Sequence, residues 1–133
     1  MKKAHKLVSA VLVSTMVLSM TACGSGEKTY KVGILQQLEH PALDQATQGF
    51  EDVLKEKLGD NVKFDLQNAQ NEQANASTIA NNFVSSNMDL ILANATTALQ
   101  ACAGATTDIP ILGTSVTDYA TALEIDDWSG TTG

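Results

Sequence analysis

The chain has 133 residues, 44% of them hydrophobic, and its acidic residues outnumber its basic ones by fifteen to eight. It contains no arginine, and three of its eight lysines lie in the first six residues. This acidic balance excludes nucleic acid as a natural partner, because binding to a phosphate backbone depends on clustered positive charge.

The N-terminus has the three zones of an export signal. Lysines in the first six residues precede an apolar run from Leu7 to Leu18, which is short for a membrane span, and small residues follow up to Cys23. The stretch ending at Cys23 resembles a bacterial lipobox, which implies cleavage before that residue and acylation of its sulfur. We therefore predict a signal peptide over 1–22 and a lipidated, flexible tether over 23–29. An ordinary secretory signal is the alternative.

The segment from Tyr30 to Gly59 predicts a strand, a loop and a helix. An apolar β-type run from Tyr30 to Leu35 ends at a polar turn over 36–40, and Pro41 then opens a helix that Gly59 ends. Because an amphipathic helix buries only one side, further strands must cover that side. Its predicted apolar stripe consists of Leu43, Ala46, Phe50, Val53, Leu54 and Leu58.

Strands and helices continue to alternate after Gly59. The pattern predicts strands over 62–66, 90–93 and 110–113 and helices over 72–86, 97–105 and 119–123. Strands separated by helices pair in parallel through right-handed crossovers. The fold class is therefore α/β, a three-layer parallel sheet with the flavodoxin-like order 2-1-3-4. We predict one lobe over 30–123 and a tail over 124–133.

The ligand crevice follows from this order. Strands one and three are neighbours whose helices go to opposite faces, so a crevice opens at their carboxyl ends. The loops over 36–40, 94–97 and 115–118 should meet there. Helix-start N–H groups and hydroxyls could receive a carboxylate, and acidic side chains could receive an ammonium group. The candidate ligand-binding residues are Gln36, Glu39, Thr96, Thr97, Ser115, Thr117 and Asp118.

Plainer roles exist for the same residues. Thr96 and Thr97 could simply begin a helix, and Glu39 and Asp118 could be solvated. If they act together, they suit a zwitterion such as an amino acid. Their convergence at one crevice favours the binding role.

Other functional classes find little support. Cys102 lies among apolar neighbours and is predicted to be a buried core residue, and His40 is the only histidine after the signal. We find neither a nucleophile elbow nor a metal-ligand cluster in the sequence, so we expect no catalysis, metal or cofactor. A signalling receiver would need acids where Gln36 and Asn94 stand. An exported hydrolase and an exported ligand-sensing domain remain alternatives.

Two motifs carry a family resemblance. The stretches EHPALD at 39–44 and QNAQ at 67–70 resemble the tryptophan or tyrosine uptake family of ABC transporter substrate-binding lipoproteins. The resemblance implies a type I periplasmic-binding-protein fold, in which two lobes close on an amino acid and are presented to permease subunits. It implies binding roles for Gln36, Glu39, Thr96, Thr97, Thr117 and Asp118.

The resemblance also sets expectations for length and location. Family members are longer, and this chain ends where a fifth strand and the crossover to a second lobe would begin. We therefore expect an N-terminal lobe that binds its ligand poorly alone. We expect it at the cell envelope, lipid-anchored on the extracytoplasmic face of a bacterial membrane. An aromatic ligand is implied by the resemblance alone.

Overall fold

The computed structural model describes residues 26–130. The predicted signal peptide and the lipidation site at Cys23 lie outside this range. Within it, no helix has both the length and the apolar character needed to cross a membrane.

Between residues 26 and 130, four strands and four α-helices alternate. The strands are β1 (Tyr30–Gln36), β2 (Val62–Asn68), β3 (Leu90–Asn94) and β4 (Ile111–Thr114). The helices are α1 (Pro41–Leu58), α2 (Gln73–Ser85), α3 (Thr96–Ala105) and α4 (Tyr119–Leu123). Each predicted element is present. The main differences are that β1 and β2 continue to Gln36 and Asn68, which were expected in loops, and that α3 begins one residue early, at Thr96.

All four strands pair in parallel, in the order β2-β1-β3-β4. This confirms the predicted order. It places β1 and β3 side by side at the centre, with their carboxyl ends at one edge of the sheet.

The core has two parts because successive side chains of a strand point to opposite faces. On one face Val32 and Ile34 of β1 pack with Phe50, Leu54 and Leu58 of α1. On the other face a second cluster joins the sheet to α2 and α3, and it contains Leu35, Ile91, Ala80, Phe83, Leu99 and Cys102. The sheet is therefore the middle of three layers, as predicted.

The predicted stripe of α1 needs one correction. Val53 is 49% exposed, whereas Thr47, which the sequence did not assign to the stripe, is 4% exposed. Thr47 lies about one helical turn after Leu43 and one before Phe50, on the side of α1 that faces the sheet. Val53 lies at the margin of that side. Hydrophobicity alone therefore assigned Val53 to the buried stripe and missed Thr47.

Cys102 is a core residue, as predicted. Its side chain is fully buried, and burial raises the pKa of the thiol to about 12. The thiol is therefore neutral at physiological pH and does not act as a nucleophile.

Candidate functional site

Polar residues form a row across the carboxyl edge of the sheet. In the strand register Gln36 lies opposite both Asn68 and Asn94, and Asn94 lies opposite Thr114. Each strand therefore ends level with its neighbours. The loops that follow β1, β3 and β4 begin at one common edge, which confirms the placement expected from the sequence. We call this edge the polar rim.

Gln36 lies within β1 and is only 4% exposed. Its Nε2 donates to the Leu38 carbonyl at 2.9 Å and to Asp44 Oδ1 at 2.6 Å, and its Oε1 accepts from Thr47 Oγ1 at 2.8 Å. Both amide hydrogens are used inside the protein. Gln36 therefore braces β1 against α1, and its direct contact with a ligand stays a prediction.

Asn94 is fully buried at the end of β3. Its Nδ2 donates to the Leu43 carbonyl at 2.8 Å and to Thr47 Oγ1 at 3.0 Å. Its Oδ1 is also buried and has no hydrogen-bond partner among residues 26–130. Asn94 thus ties the centre of the sheet to the first turns of α1.

Gln37 joins the loops after three strands. Its Oε1 accepts from the Thr97 N–H at 3.1 Å, and its Nε2 donates to Asn71 Oδ1 at 2.9 Å. Its backbone N–H donates to the Asn94 carbonyl at 3.1 Å. Gln37 is not among the ligand-binding residues predicted from the sequence. The only signal for it was an amide side chain directly after a buried strand.

Thr96 and Thr97 form the first turn of α3, and both are half-buried. The N–H groups of a helix's first turn have no partner within the helix, and they carry the positive end of its dipole. The Thr97 N–H donates to the side chain of Gln37. Ala95, just before the helix, has φ 85° and ψ 169°, a conformation that non-glycine residues rarely adopt. This strained junction aims the helix start at the polar rim.

The loop after β4 carries Ser115, Thr117 and Asp118, and all three are exposed. Ser115 is in the left-handed region with φ 57°. Asp118 caps α4, because its Oδ1 accepts from the Thr121 N–H at 3.1 Å and its Oδ2 from the Thr121 hydroxyl at 2.9 Å. These bonds from Thr121 lower the pKa of the Asp118 carboxyl. Its capping role is therefore established, and its contact with a ligand stays a prediction.

Glu39 lies on the other side of the rim, along a groove of about 500 Å³ between α1 and β2. Asp44 and Glu51 line the same groove, together with Gln36 and Asn68. The other five predicted residues do not line it. Of the seven predicted residues, Gln36 and Glu39 therefore share the groove. Thr96, Thr97 and the β4 loop lie on the β3 side of the rim, and Gln37 lies between the two groups.

His40 ends the loop after β1 by capping α1. Its Nδ1 accepts from the Ala42 N–H at 3.1 Å. His40 therefore shapes the turn that leads into α1. Across residues 26–130 no group of three or more His, Cys, Asp or Glu side chains could hold a metal ion. The rim offers amides, hydroxyls and helix N–H groups, which are binding groups.

The parallel sheet in the order 2-1-3-4, with a polar rim at its carboxyl edge, matches the fold of one lobe of a type I periplasmic binding protein. The likeness extends to a periplasmic binding protein at 10% identity and a TM-score of 0.59, where it concerns the fold alone. The profile of the family described as ABC transporter substrate binding protein matches residues 31–133. The chain belongs to this family, whose members bind substrates and are not enzymes.

Three relatives illustrate the similarity. The chain is 40% identical over 136 residues to the tyrosine-binding protein of Clostridioides difficile (strain R20291), covering 89% of this chain and 39% of that protein. A ligand-free, open structure of a Clostridium difficile substrate binding protein with adhesive properties has a TM-score of 0.68 at 44% identity, covering 71% of this chain and 33% of that one. A Streptococcus pneumoniae ABC domain in complex with L-Trp has a TM-score of 0.67 at 36% identity, with the same coverages. The chain thus spans about two fifths of the curated relative.

Proposed function

We propose that the chain is the N-terminal lobe of a solute-binding component of an ABC importer and that it holds a free amino acid at the polar rim. The observation that carries this proposal is the convergence of three loops beside the start of α3. There, helix N–H groups and the hydroxyls of Thr96 and Thr97 suit the ligand's carboxylate. On that side of the rim the Asp118 carboxylate suits its ammonium group, whereas Glu39 lies on the groove side, beyond Gln37.

An aromatic amino acid is the proposed ligand. Two relatives carry the support: one is a tyrosine-binding protein at 40% identity, and another was solved with L-Trp at 36% identity. The rim of this lobe supplies groups for the backbone of an amino acid. We propose that a second lobe supplies most of the pocket for the side chain, so that the described lobe alone binds weakly.

The proposed partners are the permease subunits of the importer and the membrane itself. Support for a membrane anchor comes from the sequence, where a charged, an apolar and a small-residue zone precede Cys23 in the order of a lipoprotein signal. The proposed location is therefore the extracytoplasmic face of a bacterial membrane. Mass spectrometry of the protein purified from bacterial membranes would test it, with a diacylated Cys23 as the expected N-terminus.

Ligand binding can be tested by titrating the isotope-labelled chain with L-tryptophan and following its amide resonances, which detects weak complexes. We expect shifts at Gln37, Thr96, Thr97 and Thr117 at millimolar ligand. Tryptamine, which lacks the carboxylate, should lose the shifts at the start of α3. Indole-3-propionate, which lacks the ammonium group, should retain them and lose those near Asp118.

A matched pair of variants separates the site from the surface. Thr97→Val should weaken binding, whereas Thr78→Val, on the exposed side of α2, should not. Shifts that cluster away from the rim, or no shifts with any amino acid, would contradict the proposed site. Micromolar binding by this chain alone would contradict the need for a second lobe.

A further inference from the structure

Three buried side chains form a hydrogen-bonded line from the centre of the sheet to α1. Asn94 Nδ2 donates to Thr47 Oγ1 at 3.0 Å, and Thr47 Oγ1 donates to Gln36 Oε1 at 2.8 Å. Gln36 Nε2 then donates to Asp44 Oδ1 at 2.6 Å. All the donors point in one direction, so each bond polarises the next. We call Asn94, Thr47 and Gln36 the buried polar network.

The network is costly if it serves packing alone. Its three members are 0%, 4% and 4% exposed, and Asn94 Oδ1 is left without a partner in the described part of the chain. A buried polar network that is only partly satisfied is less favourable than an apolar core of the same shape. Three apolar side chains would therefore fill this position at lower cost. What they could not do is fix the loop after β1 through directional bonds.

That loop is held from both sides by the network. Gln36 Nε2 bonds the Leu38 carbonyl at 2.9 Å, and Asn94 Nδ2 bonds the Leu43 carbonyl at 2.8 Å. The backbone carbonyl of Asn94 also accepts from the N–H of Gln37 at 3.1 Å. The loop residues 37–40 are thereby placed between fixed points. Gln37 in turn reaches the N–H of Thr97.

We propose that Thr47 and Asn94 are positioning residues for the ligand site, although both are buried beneath the rim. Their hydrogen bonds set the position of residues 37–40, and through Gln37 they set the distance between the β1 loop and the start of α3. This inference rests on the proposed function for its effect on affinity. Its effect on the loop can be measured without any ligand.

The decisive comparison is Thr47→Val with Thr47→Ser. Valine has nearly the shape of threonine but no hydroxyl, whereas serine keeps the hydroxyl and loses a methyl group. Thr47→Val should lower the hydrogen-exchange protection of the Gln37 and Asp44 amides and weaken L-tryptophan binding about five- to tenfold, the scale of one hydrogen bond. Thr47→Ser should keep protection and affinity within about twofold of the original. A general loss of stability would affect both variants.

A second pair avoids any change to the core. Asp44→Ala removes the exposed end of the line, and Asp52→Ala removes a matched carboxylate from the same helix, where it bonds only the Gln48 side chain among the described residues. We expect the first variant to lower protection at Gln37 and the second to leave it unchanged. Both should fold, because both positions are exposed.

The outcomes divide cleanly. If Thr47→Val keeps wild-type protection at Gln37 and Asp44, or loses protection without losing affinity, the positioning role is wrong. If the unaltered chain binds no amino acid, the proposed function fails. The role of the network in placing the loop is then decided by the exchange data alone.

Discussion

At the scale of single residues, Gly33 shows how the absence of a side chain sets the distance between two layers. A Cβ atom at this position would lie 2.7 Å from Cδ2 of the Phe83 ring. This ring belongs to α2 and is almost fully buried. Glycine at position 33 therefore allows α2 to pack directly on the backbone of β1.

We predict that Gly33→Ala lowers the free energy of unfolding by about 2 kcal/mol, the usual cost of overpacking a core. Gly49→Ala is the matched control, because a Cβ atom there meets nothing within 4 Å and the residue lies inside α1. That change should raise stability by about 0.5–1 kcal/mol. Urea unfolding followed by circular dichroism measures both. Equal effects at the two positions would contradict the close contact with Phe83.

Cys102 supports a prediction about pH. Burial raises the pKa of its thiol from 9.0 to about 12. The unfolded chain therefore releases this proton at lower pH than the folded one. The contribution of Cys102 to stability is complete below pH 9 and is lost as the pH rises from 9 towards 12. We expect urea unfolding to show that the original protein is more stable than Cys102→Ala by a smaller margin at pH 10.5 than at pH 8. An equal margin at the two pH values would show that burial does not raise the pKa of the thiol.

At the scale of elements, β4 and α4 are coupled through one aromatic side chain. Tyr119 Oη donates to the Gly113 carbonyl at 2.8 Å, and the Tyr119 ring stacks on Trp128 with centroids 5.5 Å apart. A Cβ atom at Gly113 would lie 2.7 Å from the Tyr119 ring. The loop that carries Ser115, Thr117 and Asp118 lies between these two elements. Its position therefore depends on the contact between Gly113 and Tyr119.

We predict that Gly113→Ala displaces the Tyr119 ring and separates it from Trp128. Trp128 is the only tryptophan in the sequence, so its fluorescence and near-ultraviolet circular dichroism report this contact directly. Tyr119→Phe removes the hydroxyl but keeps the ring, and it should preserve the tryptophan signal. A wild-type signal in Gly113→Ala would mean that the backbone of β4 shifts and the Tyr119 ring stays in place.

The elements were predictable from the sequence, and the roles of several side chains were not. Periodicity and Pro41 located α1, and alternation of strands and helices led to the order 2-1-3-4, because parallel pairing leaves few topologies. Whether Gln36 or Gln37 meets the rim depends on where β1 ends, and a shift of one residue reverses the side that a strand residue faces. The burial of Thr47 depends on partners 11 and 47 positions away, which no local pattern contains.

At the scale of the whole molecule, the two ends of the sheet have different surroundings. Residues before β1 are fastened to the amino edge: Lys28 Nζ lies 2.9 Å from Asp89 Oδ1, and Glu27 Oε2 accepts from Asn61 Nδ2 at 2.8 Å. The polar rim lies at the other end of the seven-residue strand β1, at a distance of about 20 Å. The described chain therefore starts at the amino edge, at the opposite end of β1 from the polar rim.

We predict that the proposed anchor holds the amino edge nearest the membrane and turns the polar rim outward. The fastening of residues 27 and 28 leaves a tether of only a few residues after Cys23, with a reach of about 3.5 Å per residue. The acylated protein can be bound to vesicles that carry an energy-transfer acceptor in their headgroups. A donor dye at Lys63→Cys, on the amino edge, should then transfer more efficiently than one at Thr117→Cys, on the rim. Both sites are exposed, whereas Cys102 is buried and escapes labelling in the folded protein. Lys28→Ala would remove the contact with Asp89 and reduce the difference in transfer efficiency between the two sites. Equal transfer from both sites in the unaltered protein would show that the lobe tumbles freely on its tether.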